Sequence, residues 1–144
     1  MYHSEATLLP DGRVRVSGSD PEAAGFTEEL RIEVYIPPYL SQGLTQPIVD
    51  GAEYGLGLRR TVPDYRAVVP RRGSAVSLVA AVSSTHGNVM GGRVIFPAVS
   101  CVGTVCMVTA PPNEKVSPPG WHQLFVLDGS TPSHGVFVRV GGNR

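Results

Sequence analysis

Charge of one sign is what this chain lacks first. Twelve Lys and Arg are matched by twelve Asp and Glu across 144 residues. No cluster of basic residues interleaved with aromatics is present, which speaks against a nucleic-acid partner or an anionic membrane surface. The doublets Arg59-Arg60 and Arg71-Arg72 read as solvated loop charges. Apolar runs are short, and none nears the roughly 20 residues of a membrane-spanning helix. The first residues also lack the basic, apolar and small-residue regions of a secretion signal. Aromatics are scarce, with a single Trp, so a sugar-stacking face has little to build on. Cysteine is limited to Cys101 and Cys106, too few for a zinc site of two paired ligands.

Those two cysteines have four residues between them and flank a Gly-containing turn. They read equally as a cross-strand disulfide in an oxidising compartment or as two buried free thiols.

What the chain has in abundance is turn punctuation, 17 Gly and 13 Pro, between short runs with apolar residues at every second position. That pattern predicts an all-β protein of many short strands with little room for helix. Leu30, Ile32, Val34 and Ile36 alternate with Arg31, Glu33 and Tyr35, which predicts a strand with one buried face. Val136, Val138 and Val140 repeat the pattern, and strands are expected over 76–82, 93–96, 104–108 and 121–127. Weaker candidates near Tyr54 and Tyr65 bring the number to about seven, the number in an immunoglobulin-like sandwich. At this length folding buries roughly 68% of the unfolded surface, enough for one core.

The beginning of the chain reads differently. Residues 4–9 and 13–17 flank Pro10-Asp11-Gly12, a turn signal that predicts a β-hairpin. A lone hairpin is marginal in water, and no downstream segment offers it an edge, so a missing partner upstream is expected. Residues 18–27 are small and polar, like a linker. The organisation expected is a hairpin and linker over 1–25, left from a truncated β-propeller, and a sandwich over 26–144.

Three residues carry candidate chemistry. Tyr2 and His3 are adjacent at the start, and His86 lies in a ten-residue stretch from Ser83 to Gly92, where a sandwich hairpin needs two to five. Spacing alone favours an Ω-type loop with an exposed histidine, yet excess loop length on a rigid scaffold commonly serves a site. Two imidazoles and a phenol suit copper. The set begins where the chain begins, as if cut short. One difficulty is geometric: neighbours on a regular strand point to opposite faces, so Tyr2 and His3 reach one metal only from an irregular strand start or from beyond its end.

Tyr2-His3-Ser4, Leu8-Leu9-Pro10-Asp11-Gly12-Arg13-Val14, Pro37-Pro38-Tyr39-Leu40, Thr85-His86, Arg93, Pro118-Pro119-Gly120-Trp121, Leu124-Phe125-Val126 and Pro132-Ser133 together resemble the C-terminal part of galactose oxidase and glyoxal oxidase. The stretch His86 to Arg93 resembles the glyoxal oxidase branch, in which Met-Gly-Gln-Arg is common; here Gly92 replaces the glutamine. The resemblance implies a secreted mononuclear copper radical oxidase. In that family a seven-bladed propeller precedes an immunoglobulin-like early-set domain, and aldehydes or primary alcohols are oxidised by O2 to give H2O2. It implies that Tyr2 is the axial ligand and the base for the substrate hydroxyl, and that His3 and His86 are equatorial copper ligands. Residues 4–17 are then an inner hairpin of the last blade. The family's radical cofactor, a tyrosine cross-linked to a cysteine, comes from earlier blades and has no match here, so the isolated chain is expected to be inactive. The implied partners are the N-terminal propeller and a small aldehyde or alcohol. The rival expectation is a non-catalytic immunoglobulin-like module binding carbohydrate or protein. His122, alternating with Trp121, reads as a face residue, His134 as a turn residue, and Trp121 as an aromatic that packs the sandwich.

Overall fold

Asp11 and Gly12 make the first turn because each meets a specific need. The Asp11 carboxylate accepts from the Arg13 backbone N–H at 3.0 Å and pairs with its guanidinium at 2.6 Å, while Gly12 takes φ +86°, open to glycine at no steric cost. The Gly12 N–H donates to the Leu9 carbonyl at 2.9 Å. The computed structural model describes residues 3–18, 25, 27–50, 65–68, 75–85, 88–103 and 105–141. In it the turn joins β1 (Glu5–Leu8) to β2 (Val14–Ser17), antiparallel from Glu5↔Ser17 to Leu8↔Val14, as expected.

The next strand departs from expectation. β3 (Ile32–Tyr35) pairs with β2 from Ser17↔Ile32 to Val14↔Tyr35, so the hairpin does have a downstream partner, and β2 is the central strand of a three-stranded sheet β1-β2-β3. The division expected at residue 25 therefore does not coincide with a boundary between sheets. Nor does β3 have a buried face, since Ile32, Val34 and Tyr35 are all exposed.

A single helical turn, α1 (Pro38–Ser41), follows, with Pro at its first position, where the missing N–H is no loss. It seats Tyr39, whose hydroxyl donates to the Gly12 carbonyl at 2.7 Å.

The sandwich follows. Its strands are β4 (Ile48–Asp50), β5 (Tyr65–Val68), β6 (Ala75–Ala80), β9 (Val94–Ile95), β10 (Val99–Val102), β11 (Val105–Val108), β12 (Gly120–Asp128), β13 (Thr131–Pro132) and β14 (Val136–Val140), while β7 (Ser83–Thr85) and β8 (Asn88–Met90) pair with each other apart from the two sheets. One sheet has the order β10-β11-β5-β4; the other runs β13-β12-β6-β9, with β14 also on β12. The weak strand candidate near Tyr65 is β5, whereas that near Tyr54 lies outside the described residues. Val76, Leu78, Leu124, Val126, Val138 and Val140 of one sheet meet Val108 of the other in the core, with Val49 and Val99 packed against it. Each such side chain contributes about 1.5–3 kcal/mol on burial. The core thus forms between two sheets, as in the early-set, immunoglobulin-like β-sandwich.

The cysteines resolve to one of the two readings. Cys101 and Cys106 are opposite each other in the β10–β11 register and are joined as a disulfide, with Cα atoms 4.0 Å apart.

Two side-chain expectations on β12 are reversed. Trp121 is 52% exposed and does not pack the sandwich, whereas His122 is 3% exposed. The even-numbered positions of β12 face inward with Leu124 and Val126, and His122 shares that face. Burial lowers its pKa from the ordinary histidine value.

The first sheet is tied to the sandwich by polar contacts at the hairpin turn. Gln123 Nε2 donates to the Leu8 carbonyl at 3.1 Å and the Gly135 N–H to the Pro10 carbonyl at 2.6 Å, while Gln46 Nε2 bridges the Asp11 carbonyl at 3.4 Å and the Pro132 carbonyl at 3.0 Å. Between them lies an apolar cavity of about 200 Å³, lined by Leu8, Tyr39, Val79, Phe125 and Pro132 among others.

Candidate metal centre

Of the three candidate ligands, His3 is described; Tyr2 and His86 lie outside the described residues. His3 stands two residues before β1 and takes φ +54°, a non-glycine residue in the left-handed region. Histidine enters that region only occasionally, and holding it there costs about 1–3 kcal/mol, which the surrounding structure has to offset. A left-handed residue breaks the alternation of side chains along a strand. His3 therefore sits at an irregular strand start.

The stretch expected as a ten-residue loop is instead a β-ribbon. β7 and β8 pair from Ser83↔Met90 to Thr85↔Asn88, and His86 and Gly87 are the two residues of the chain between the last pair. The base of the ribbon is anchored. The Ala80 N–H donates to the Arg93 carbonyl at 2.9 Å, and Arg93 Nη1 donates to the carbonyls of Lys115 and Val116 at 2.9 and 2.5 Å. Arg93, which the sequence marks only as part of a motif, thus fastens the ribbon to the segment before β12.

Gly92, where the resembling family commonly has glutamine, also finds its explanation. A Cβ at this position would lie 2.6 Å from Val89 Cγ1, so Val89 occupies the room that a side chain there would take. The departure is absorbed within the ribbon.

Cα atoms of β1 and β7 come within 8 Å of each other, so the strand that follows His3 lies against the ribbon that carries His86. Among the described residues no group of three or more His, Cys, Asp or Glu side chains is placed to hold a metal ion; His122 is turned into the core, and both cysteines are consumed in the disulfide. The expected set of two imidazoles and a phenol, of which His3 alone is among the described residues, is donor chemistry that fits copper.

The chain is 48% identical over 145 residues to a WSC domain-containing protein of Arthroderma benhamiae, a match that takes in 99% of this chain and 16% of that protein. It is 35% identical over 157 residues to aldehyde oxidase GLOX of Vitis pseudoreticulata, covering 97% of this chain and 30% of that enzyme. The chain thus spans less than a third of either relative. Among solved structures, a fungal alcohol oxidase of the AA5 family in complex with copper superposes with a TM-score of 0.84 over 98% of this chain and 31% of its own, at 18% identity, which establishes a shared fold. Residues 44–140 match the galactose oxidase-like, early set domain. On that match, and on the sandwich that carries it, this chain belongs to the galactose oxidase-like early-set family.

Proposed function

We propose that the chain is the C-terminal part of a copper-dependent oxidase of aldehydes or primary alcohols and supplies three copper ligands, Tyr2, His3 and His86. The observation that carries this reading is the approach of β1 to β7, combined with the left-handed backbone at His3. When bound, copper supplies the one-electron chemistry by which such a substrate is oxidised while O2 becomes H2O2. His3 and His86 act as neutral imidazole donors that fix the metal. Tyr2 acts as a phenolate that takes the substrate hydroxyl proton, which requires a phenol pKa lowered by the neighbouring cation.

The sheet of β1, β2 and β3 is read as part of the last propeller blade, with the early-set domain beginning after β3. The exposed Ile32, Val34 and Tyr35 are consistent with packing against the rest of an N-terminal propeller. The Tyr-Cys radical cofactor would come from that propeller, because Cys101 and Cys106 are bonded to each other. The disulfide also supports an extracellular setting. Oxidase turnover is accordingly expected from the longer protein and not from this chain by itself.

A second reading, a carbohydrate- or protein-binding module, draws on Trp121 and Phe137. Both are about half exposed and belong to alternate cross-strand pairs on β12 and β14, Trp121↔Arg139 and Gln123↔Phe137. It assigns copper no role.

Copper titration followed by electron paramagnetic resonance separates the two. The chain is given a Gly-Ser extension ahead of Met1, so that no α-amino nitrogen competes beside His3. The spectrum should show imidazole nitrogen coupling that diminishes in both His3→Ala and His86→Ala. Spectra identical to wild type in both variants would remove the copper reading and leave the binding module.

A further inference from the structure

Gly18 follows the last residue of β2. Ser17 pairs with Glu5, and one step further along the same register Gly18 comes opposite Ser4, beside His3. A Cβ on Gly18 would lie 2.9 Å from the His3 carbonyl oxygen, 3.3 Å from Ser4 Cα and 3.7 Å from the His3 carbonyl carbon. All three neighbours are backbone atoms, which cannot rotate aside as a side-chain tip can. Gly18 itself takes φ +93°, so two left-handed residues face each other where the hairpin ladder ends.

We propose that Gly18 is a positioning residue for the copper site. Its missing side chain admits the His3 peptide to the one placement in which the left-handed turn forms and the imidazole leaves the strand's alternation. Any L-side chain at 18 pushes the His3 carbonyl outward, and the imidazole moves with it. This rests on the reading of His3 as a ligand, since without a metal the placement has no chemical consequence. Groups that act on a metal through its ligands commonly change affinity by about 10- to 100-fold when altered.

Gly25 provides the control, because it has nearly the same backbone angle, φ +99°, and no atom of the described residues within 4 Å of its Cβ position. Gly18→Asn guards against a folding failure of Gly18→Ala, since asparagine tolerates left-handed backbone yet carries the same Cβ. The test uses the full 144-residue chain with the Gly-Ser extension and two readouts. One is the His3 imidazole resonances in metal-free protein, the other the copper dissociation constant from paramagnetic resonance. In Gly18→Ala and Gly18→Asn the His3 resonances should shift and copper should bind about 10-fold more weakly; Gly25→Ala should change neither. Gly18 variants that match Gly25→Ala in both readouts, while His3→Ala loses copper, would overturn the positioning role alone. Copper affinity unchanged in His3→Ala would overturn the ligand reading and this inference with it.

Discussion

Ser117 and His122 are joined inside the sandwich, the serine hydroxyl 3.1 Å from Nε2, with both residues nearly inaccessible to solvent. The other ring nitrogen, Nδ1, lies 3.2 Å from the Gly120 carbonyl oxygen. A carbonyl can only accept, so Nδ1 carries the proton and Nε2 accepts from Ser117. The neutral ring satisfies both partners. Protonating Nε2 would remove the acceptor and leave a charge in an apolar interior.

Stability should therefore depend on pH in one direction. Burial lowers the His122 pKa in the folded chain, so below the ordinary histidine value, about 6.5, the unfolded chain binds more protons. Its contribution is complete above that pH and is lost as pH falls toward the folded-state value. Urea melts at pH 8, 7, 6 and 5 should show declining stability, and His122→Gln should flatten the decline. Ser117→Ala should cost about 1–3 kcal/mol at pH 8, where the bond is intact and its loss strands a buried acceptor. A Ser117→Ala melt equal to wild type at that pH would contradict the assignment.

The disulfide between Cys101 and Cys106 links adjacent strands through a short loop, so its contribution should be modest. The loop-entropy relation gives about 2 kcal/mol for a closed loop of about six residues. Cys106 is buried at 2% exposure while Cys101 is exposed, so removing the two has different costs. Reduction should lower the melting temperature, and Cys101→Ser should lower it less than Cys106→Ser, which places a hydroxyl in the core. Melts with and without reductant, with mass measurement to verify the two-hydrogen difference, would check this. A reductant-insensitive melt would show that the bond adds no stability.

Period-two alternation made most of the sandwich legible in the sequence, because Leu124, Val126, Val138 and Val140 could belong only to a buried face. The same period misled at Ile32, Val34 and Ile36, since alternation shows that a strand has two faces and says nothing of what covers either. The ribbon went unseen because Ser83, Ser84, Asn88 and Met90 present no apolar stripe; the usable signal was the Gly at 87 between two short runs of strand-forming residues, as in a two-residue hairpin turn. His122 was misread although its even-numbered neighbours Leu124 and Val126 already marked the inward side of β12. An irregular start at His3 is one of the two geometries that a proposed pair of adjacent ligands would need. Gly18, which adjoins it, lies in a stretch that reads as a linker, and only the paired backbone shows what its missing side chain admits.

The most direct measurement puts the chain where its chemistry would be complete. This chain should replace the corresponding segment of aldehyde oxidase GLOX of Vitis pseudoreticulata, its 35% identical relative, and peroxide release from an aldehyde should be followed under copper saturation. The chimaera should produce peroxide, and His3→Ala and His86→Ala should each abolish it while leaving the thermal melt in place. Peroxide output unchanged in His3→Ala would contradict the assignment of this chain as the source of copper ligands.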